Sequence, residues 1–186
     1  RLSHLGENVL QFARLERGAD FGSVEKLTAA EMFGRFESRL KERASEVEWE
    51  VGLEIDDSMK DFSFATQPAT VEQIVFNLVD NACKYARPSS QPKLDLKILR
   101  HGKNVAIYVQ DFGPGIPVQY RKRMFQPFCK SDQDAANTAP GVGLGLALCR
   151  RMAVSLGGKL KIADRKNKLD RDSAGACFIL ELPIRN

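Results

Sequence analysis

A chain of 186 residues suits one domain of ordinary size, or one domain with a short appendage, and it can bury a real core. With 43% hydrophobic and 28% charged residues, and no run approaching the roughly 20 apolar residues of a membrane-spanning helix, the composition excludes wholesale disorder, a repetitive fibre and a membrane span. The net charge of +4 comes from interspersed charges, which argues against nucleic acid as a partner and leaves room for a cleft that holds a small polyanion.

The first residues lack the basic, apolar and small-residue order of a signal peptide, and the chain opens on Arg1. The expectation is a cytoplasmic fragment of a longer protein, with any inner-membrane anchorage in segments outside it. Cys83, Cys129, Cys149 and Cys177 are far apart with no CxxC pair, and His4 and His101 have no partner at metal-ligand spacing, so reduced thiols rather than a zinc site are expected.

Leu2, Leu5, Val9, Phe12 and Leu15 recur every three or four residues, which predicts an amphipathic helix stopped at Gly18. A looser, glycine-containing stretch follows, so residues 1–18 read as the end of a neighbouring helical module and residues 19–28 as a linker. Another helix is predicted over 29–46, then strands over 49–55 and 61–64 from their alternation of apolar and polar residues. A helix over 71–85 comes next. Strands over 93–100 and 104–111 flank the turn His101, Gly102, Lys103 as a hairpin. Helices are predicted over 118–124 and 144–156, the latter stopped by Gly157 and Gly158, and KLKI and CFILELPI form a final antiparallel pair. The pattern is that of an α+β fold over residues 29–186: a two-layer sandwich of a mixed, mostly antiparallel sheet covered by helices on one face, preceded by an N-terminal helix.

Three phosphate-related motifs fail their context. GVGLGL at 141–146 does not follow a strand as a dinucleotide fingerprint must, and Gly157-Gly158-Lys159 lacks the rest of a P-loop. Asp111-Phe112-Gly113 resembles the metal-binding triplet of Ser/Thr/Tyr kinases, but the companion HRD and APE motifs are missing.

The helix over 71–85 is more informative. Val71, Ile74, Val75, Leu78, Val79 and Ala82 form an apolar face, while Asn77, Asn81, Lys84 and Tyr85 share an adjoining strip. Asparagine is a mediocre helix former, so two of them four residues apart suit a ligand role better than drift on a solvated face. Amide oxygens can help to coordinate Mg²⁺, the Lys84 ammonium can neutralise phosphate, and Tyr85 can stack on a base. In DFGPGIP, Asp111 ends a strand and the glycines keep side chains out of the way, so its carboxylate can accept a hydrogen bond from an exocyclic amine such as that of adenine. The aromatics of MFQPF read as an anchor. The small, polar stretch CKSDQDAANTAP reads as a lid, and GVGLGL behind it supplies backbone amides and a helix start suited to phosphate.

In order, EQIVFNLVDNACKYA, DFGPGIP, RMFQPF and GVGLGLALCRRMAVSLGG resemble the N, first glycine, F and second glycine boxes of sensor histidine kinases, within the gyrase, heat-shock chaperone, histidine kinase and MutL group of ATPases. The likeness covers residues 22–186, and RLSHLGENVLQFARLERG resembles the last part of the dimerising module that precedes that domain. The resemblance implies a Bergerat-type ATP-binding fold with ATP and Mg²⁺ as cofactors. Asn81 would be the main Mg²⁺ ligand with Asn77 in support, Lys84 would contact phosphate, and Tyr85 would pack on adenine. Asp111 would hold the adenine amine, Gly113 and Gly115 would shape its pocket, and Gly141, Gly143, Gly145 and Leu146 would close on the triphosphate with Lys130 near the γ-phosphate. It further implies transfer of the γ-phosphoryl to a histidine of the dimerising module and onward to a response regulator.

The chain departs from the family pattern twice. His4 is followed by Leu5-Gly6, not by the acidic run of a phosphoacceptor, and reads as a helix-surface residue; Val142 replaces a polar side chain. Two alternatives stay in view. A hydrolase of the gyrase or MutL kind would need a glutamate four residues before the metal asparagine, where Asn77 stands, with Glu72 as the other candidate base. A non-catalytic nucleotide-binding module would switch partner contacts only.

Overall fold

Thr28 starts the first helix by a reciprocal cap. Its Oγ1 accepts the Glu31 N–H at 3.2 Å, while the Glu31 carboxylate accepts the Thr28 N–H at 2.7 Å. The computed structural model describes residues 22–86, 92–129 and 143–184. The predicted helix over 2–15, His4, Lys130, Gly141 and Val142 lie outside the described residues.

Strand β1 (Glu25–Thr28) leads into α1 (Ala29–Ser45), which buries Met32, Phe33, Phe36 and Leu40. Then come β2 (Glu50–Ile55), β3 (Ser63–Thr66) and α2 (Pro68–Tyr85), whose first-turn proline removes only an N–H that has no partner within the helix. The hairpin β4 (Lys93–His101) and β5 (Asn104–Asp111) turns through Gly102, held at φ 63° where glycine carries no steric penalty. Helix α3 (Gly145–Ser155), β6 (Lys159–Ile162) and β7 (Cys177–Pro183) complete the described elements.

Five strands form a sheet in the order β2-β4-β5-β7-β6, with β2 and β4 parallel and the other pairs antiparallel. Register sorts the side chains. Leu94, Leu96 and Ile98 of β4, Val105, Ile107 and Val109 of β5, and Phe178, Leu180 and Leu182 of β7 pack with the helices in one core. On the other face, Ala106, Tyr108, Cys177 and Ile179 form a smaller cluster with Ala163, joined by Leu99 and Leu169. The mixed sheet with helices on one face is the architecture expected from the sequence.

Several elements differ from expectation. Residues 118–124 are not an α-helix but lie in two short 3₁₀ turns, Val118–Tyr120 and Arg123–Phe125, flanked by Pro117 and Pro127; Val118 is 74% exposed, so only the Met124 end of the stretch packs on the core. The stretch read as linker contains β1, which pairs with β3 in a separate two-stranded sheet. That pairing joins Leu27 to Phe64 across α1 and β2, a non-local contact that four residues cannot advertise. Helix α2 starts three residues earlier than its apolar period suggests, and β3 lies two residues later than expected.

Candidate functional site

Helix α2 buries Val71, Ile74, Val75, Leu78, Val79 and Ala82 and thereby sets the direction of its polar strip. Asn77 is turned toward α3. Its amide faces the Cys149 thiol, yet Nδ2 is buried without a partner of hydrogen-bond geometry among the described residues. Complete burial pushes the Cys149 thiol up to about 12 against that contact, and Cys149 Sγ lies 3.9 Å from the Ile74 carbonyl. Cys149 is one turn from Gly145, so the middle of α2 lies beside the first turns of α3.

One turn further on, Asn81 is half-buried, and Tyr85 at the helix end is 45% exposed. Lys84 does not point away alone: its ammonium pairs with Asp80, which also accepts from Arg43 of α1 at 2.9 Å and 3.3 Å. Burial opposes ionisation of Asp80, but the hydrogen bonds from Lys84 and Arg43 outweigh it and hold the carboxyl below its ordinary value.

Asp111 closes β5 and is 8% exposed. Its Oδ1 accepts backbone N–H groups from Gly113 and Ala176, each at 3.0 Å. Burial raises its pKa, with the two amides and the nearby Lys168 ammonium opposing. Around it the backbone is packed so closely that side chains are excluded. A β-carbon on Gly113 would stand 2.4 Å from that of Ala86, the residue that caps α2. One on Gly115, held at φ 77°, would stand 2.2 Å from the Ala174 carbonyl oxygen, and one on Gly175 would stand 1.9 Å from that of Asp111.

The two aromatics of MFQPF separate. Phe125 packs edge-on to Phe178 with ring centres 6.4 Å apart and lies under the Arg150 guanidinium, while Phe128 is 68% exposed with φ 62°. The Phe128 N–H donates to the Gly143 carbonyl at 3.0 Å, and a β-carbon on Gly143 would meet the Cys129 carbonyl oxygen at 2.7 Å. Cys129 and Gly143 therefore lie side by side. Helix α3 then begins at Gly145 with Leu144 as N-cap and no side-chain cap, so its first N–H groups are unanswered by a capping side chain; Leu146 is partly buried against the core.

The structure thus brings the end of α2 against the Asp111–Gly113 turn through Ala86, and the middle of α2 against the start of α3 through Asn77 and Cys149. Asn77, Asn81, Lys84, Tyr85, Asp111, Gly113, Gly115, Gly143, Gly145 and Leu146 all belong to these three neighbouring elements. Sequence reasoning missed Gly175 and Ala176, which pack on and donate to Asp111, and Lys168, whose ammonium lies near it. The signal for Gly175 and Ala176 is the small-residue run Ser173-Ala174-Gly175-Ala176 before β7.

The family model described as histidine kinase-, DNA gyrase B-, and HSP90-like ATPase matches residues 66–186. The chain belongs to this family. Within it, the chain is a catalytic ATPase domain of the sensor histidine kinase type. It is 29% identical over 181 residues to sensor protein KdpD of Escherichia coli (strain K12), covering 97% of this chain and 19% of that protein. It is 30% identical over 166 residues to signal transduction histidine-protein kinase/phosphatase MprB of Mycobacterium bovis, covering 88% of this chain and 31% of the relative. The histidine kinase-type domain therefore spans less than a third of either. Full-length ShkA, solved in complex with AMPPNP, matches with a TM-score of 0.79 and 26% identity, over 100% of this chain and 36% of that one. Histidine kinase AdeS of Acinetobacter baumannii matches in fold with a TM-score of 0.73 at 20% identity, over 100% of this chain and 79% of that one.

Proposed function

We propose that this histidine kinase-type domain binds Mg²⁺-ATP and donates the γ-phosphoryl group to a histidine of a dimerising module, from which an aspartate of a response regulator takes it. The observation that carries the reading is the packing of Gly113 on Ala86, which sets an adenine-accepting carboxylate beside the helix that bears the two asparagines.

Asp111 receives the adenine amine on its carboxylate, with Oδ1 already held in place by two backbone amides. Gly113 and Gly115 leave room for the base, and Tyr85 packs on it. Lys84 reaches the phosphates on leaving Asp80. The amides of Gly143, Gly145 and Leu146 around the start of α3, together with that of Gly141, would hold the triphosphate, and Lys130 would neutralise the γ-phosphate. The donor set fits Mg²⁺, because the amide oxygen of half-buried Asn81, with that of Asn77 one turn earlier on α2 in support, would leave most of the coordination shell to water and phosphate, as this ion prefers. When bound, Mg²⁺ supplies charge neutralisation on the phosphates. Phosphoryl transfer asks a protein mainly for positioning and neutralisation, and amides with Lys84 and Lys130 offer both.

Transfer to a protein nucleophile is favoured over hydrolysis by the residues near the metal asparagine. Asn77, four positions before Asn81, has no basic carboxylate, and Glu72 is engaged 3.6 Å from Arg39 of α1. Residues 1–18 would be the end of the dimerising helix, and of the stretch 19–28 only the part before β1 would serve as its linker, with the domain itself cytoplasmic. Among the described residues no helix is long and apolar enough to cross a membrane.

The test supplies γ-labelled ATP, this chain and a separate dimerising module carrying the histidine. Acid-labile label on the module is expected. Steady-state phosphate release that Glu72→Gln abolishes, with no label on the module, contradicts the reading.

A further inference from the structure

The segment between β6 and β7 lies over the sheet face opposite the helices. Leu169 packs with the small cluster there, and the Gln110 side chain clasps the segment, accepting the Asp170 N–H at 3.0 Å and donating to its carbonyl at 3.3 Å. Between this segment and the turn after Gly115 is a hollow of 340 Å³ lined by Arg121, Arg165, Lys168, Asp172, Ser173 and Ala174. None of the residues assigned to the nucleotide lines it.

Three cations face this hollow against one carboxylate. The guanidinium groups are held from behind: Arg121 Nε donates to the Ile116 carbonyl at 3.2 Å and Arg165 Nε to that of Arg171 at 3.1 Å. Their acidic neighbours are loose, with Asp164 3.7 Å from Arg121 and Asp172 3.8 Å from Arg165, so positive charge is left over. Desolvation, with repulsion from Arg121 and Arg165, lowers the Lys168 pKa. Such a surplus in a concave site attracts a compact anion, and two guanidinium forks with an ammonium match the oxygens of phosphate. No aromatic ring lines the hollow, so nothing there stacks on a base.

We propose that this hollow is a binding site for a small phosphate-bearing anion, and that its occupation weakens nucleotide binding. The link is Lys168. Its ammonium donates to the carbonyls of Ser173, at 2.9 Å, and Gly175. Gly175 packs on Asp111, and the Ala176 N–H holds Asp111 Oδ1 at 3.0 Å. An anion that draws the ammonium into the hollow releases these carbonyls and loosens the backbone that positions Asp111. This second half rests on Asp111 holding the adenine amine.

The test titrates inorganic pyrophosphate into the Asn81→Ala chain without Mg²⁺, following backbone amide resonances at matched ionic strength in chloride. Saturable shifts at Arg165, Lys168, Ser173 and Ala174 are expected, with affinity weakened about tenfold by Arg165→Gln. Lys166→Gln, which removes the same charge from the same turn but does not line the hollow, leaves the affinity unchanged. Absence of saturable shifts, or equal losses in both variants, overturns the site. For the link, pyrophosphate lowers ATP affinity more in the wild-type chain than in Arg165→Gln, where direct competition alone remains; equal effects overturn it. A failed nucleotide assignment is distinguishable, because ATP then does not bind while the pyrophosphate shifts persist.

Discussion

Gly113 rests on Ala86 with no space for a side chain between them: an added β-carbon would lie 2.4 Å from the alanine's β-carbon and 2.7 Å from its α-carbon. The proposed adenine and metal sides of the site meet at this contact. Gly113→Ala forces the turn and the end of α2 apart. It is expected to cost about 1–3 kcal/mol of stability by chemical denaturation. ATP affinity should fall about tenfold, the cost of one lost hydrogen bond to the base. Wild-type affinity in a destabilised variant would show that the contact does not set the site.

Asp111 separates binding from stability. Burial raises its pKa, so between the ordinary carboxylate value and the raised one the folded chain keeps a proton that the unfolded chain releases, and stability falls as pH rises through that window. At neutral pH the charged group is therefore a cost. Asp111→Asn keeps an oxygen for the Gly113 and Ala176 amides and should melt no lower than the wild type. ATP affinity should drop about 10- to 100-fold, because two amine donors then face each other. In the wild-type chain, affinity should fall at a pH above that of an ordinary carboxylate. Calorimetry across pH checks both halves.

Asp80 restrains the lysine proposed for phosphate. Its lowered pKa means that its pairs with Lys84 and Arg43 stabilise the fold above the ordinary carboxyl range, and that this contribution is lost as pH falls through the depressed value. The groups are partly exposed, so Asp80→Asn should cost about 1 kcal/mol or less. It also releases Lys84, and Mg²⁺-ATP affinity should rise about threefold. An unchanged affinity would remove Lys84 from the phosphate site.

The thiols divide by burial. Burial pushes Cys149 up to about 12 and Cys177 to about 11, and Cys83 is buried, whereas Cys129 is partly exposed beside Gly143. Iodoacetamide should label Cys129 first at pH 8 and the others only on unfolding. Saturating ATP should slow labelling of Cys129, read by mass spectrometry.

Most of the fold was legible because its elements are long or strongly patterned: α2 over its apolar face, β4 and β5 around Gly102, and β7 by its apolar run. Where elements are short, tertiary contacts decide. Leu27 finds Phe64 only after α1 and β2 have intervened, and residues 118–124 carry a helical period that two prolines and an exposed Val118 overrule. At the site, Asn77, Asn81 and Asp111 stood out because polar groups interrupt apolar patterns. Gly175 and Ala176 act through backbone atoms alone, which residue chemistry does not reveal. The Asp80 restraint on Lys84 required Arg43 from a different helix.

Calorimetric titration of adenine and guanine nucleotides, with and without Mg²⁺, into the wild-type, Asn81→Ala and Asp111→Asn chains tests the shared site most directly. The account predicts one ATP per chain, loss of the metal dependence in Asn81→Ala and loss of the adenine preference in Asp111→Asn. Wild-type behaviour of either variant, with the fold intact by circular dichroism, would contradict it.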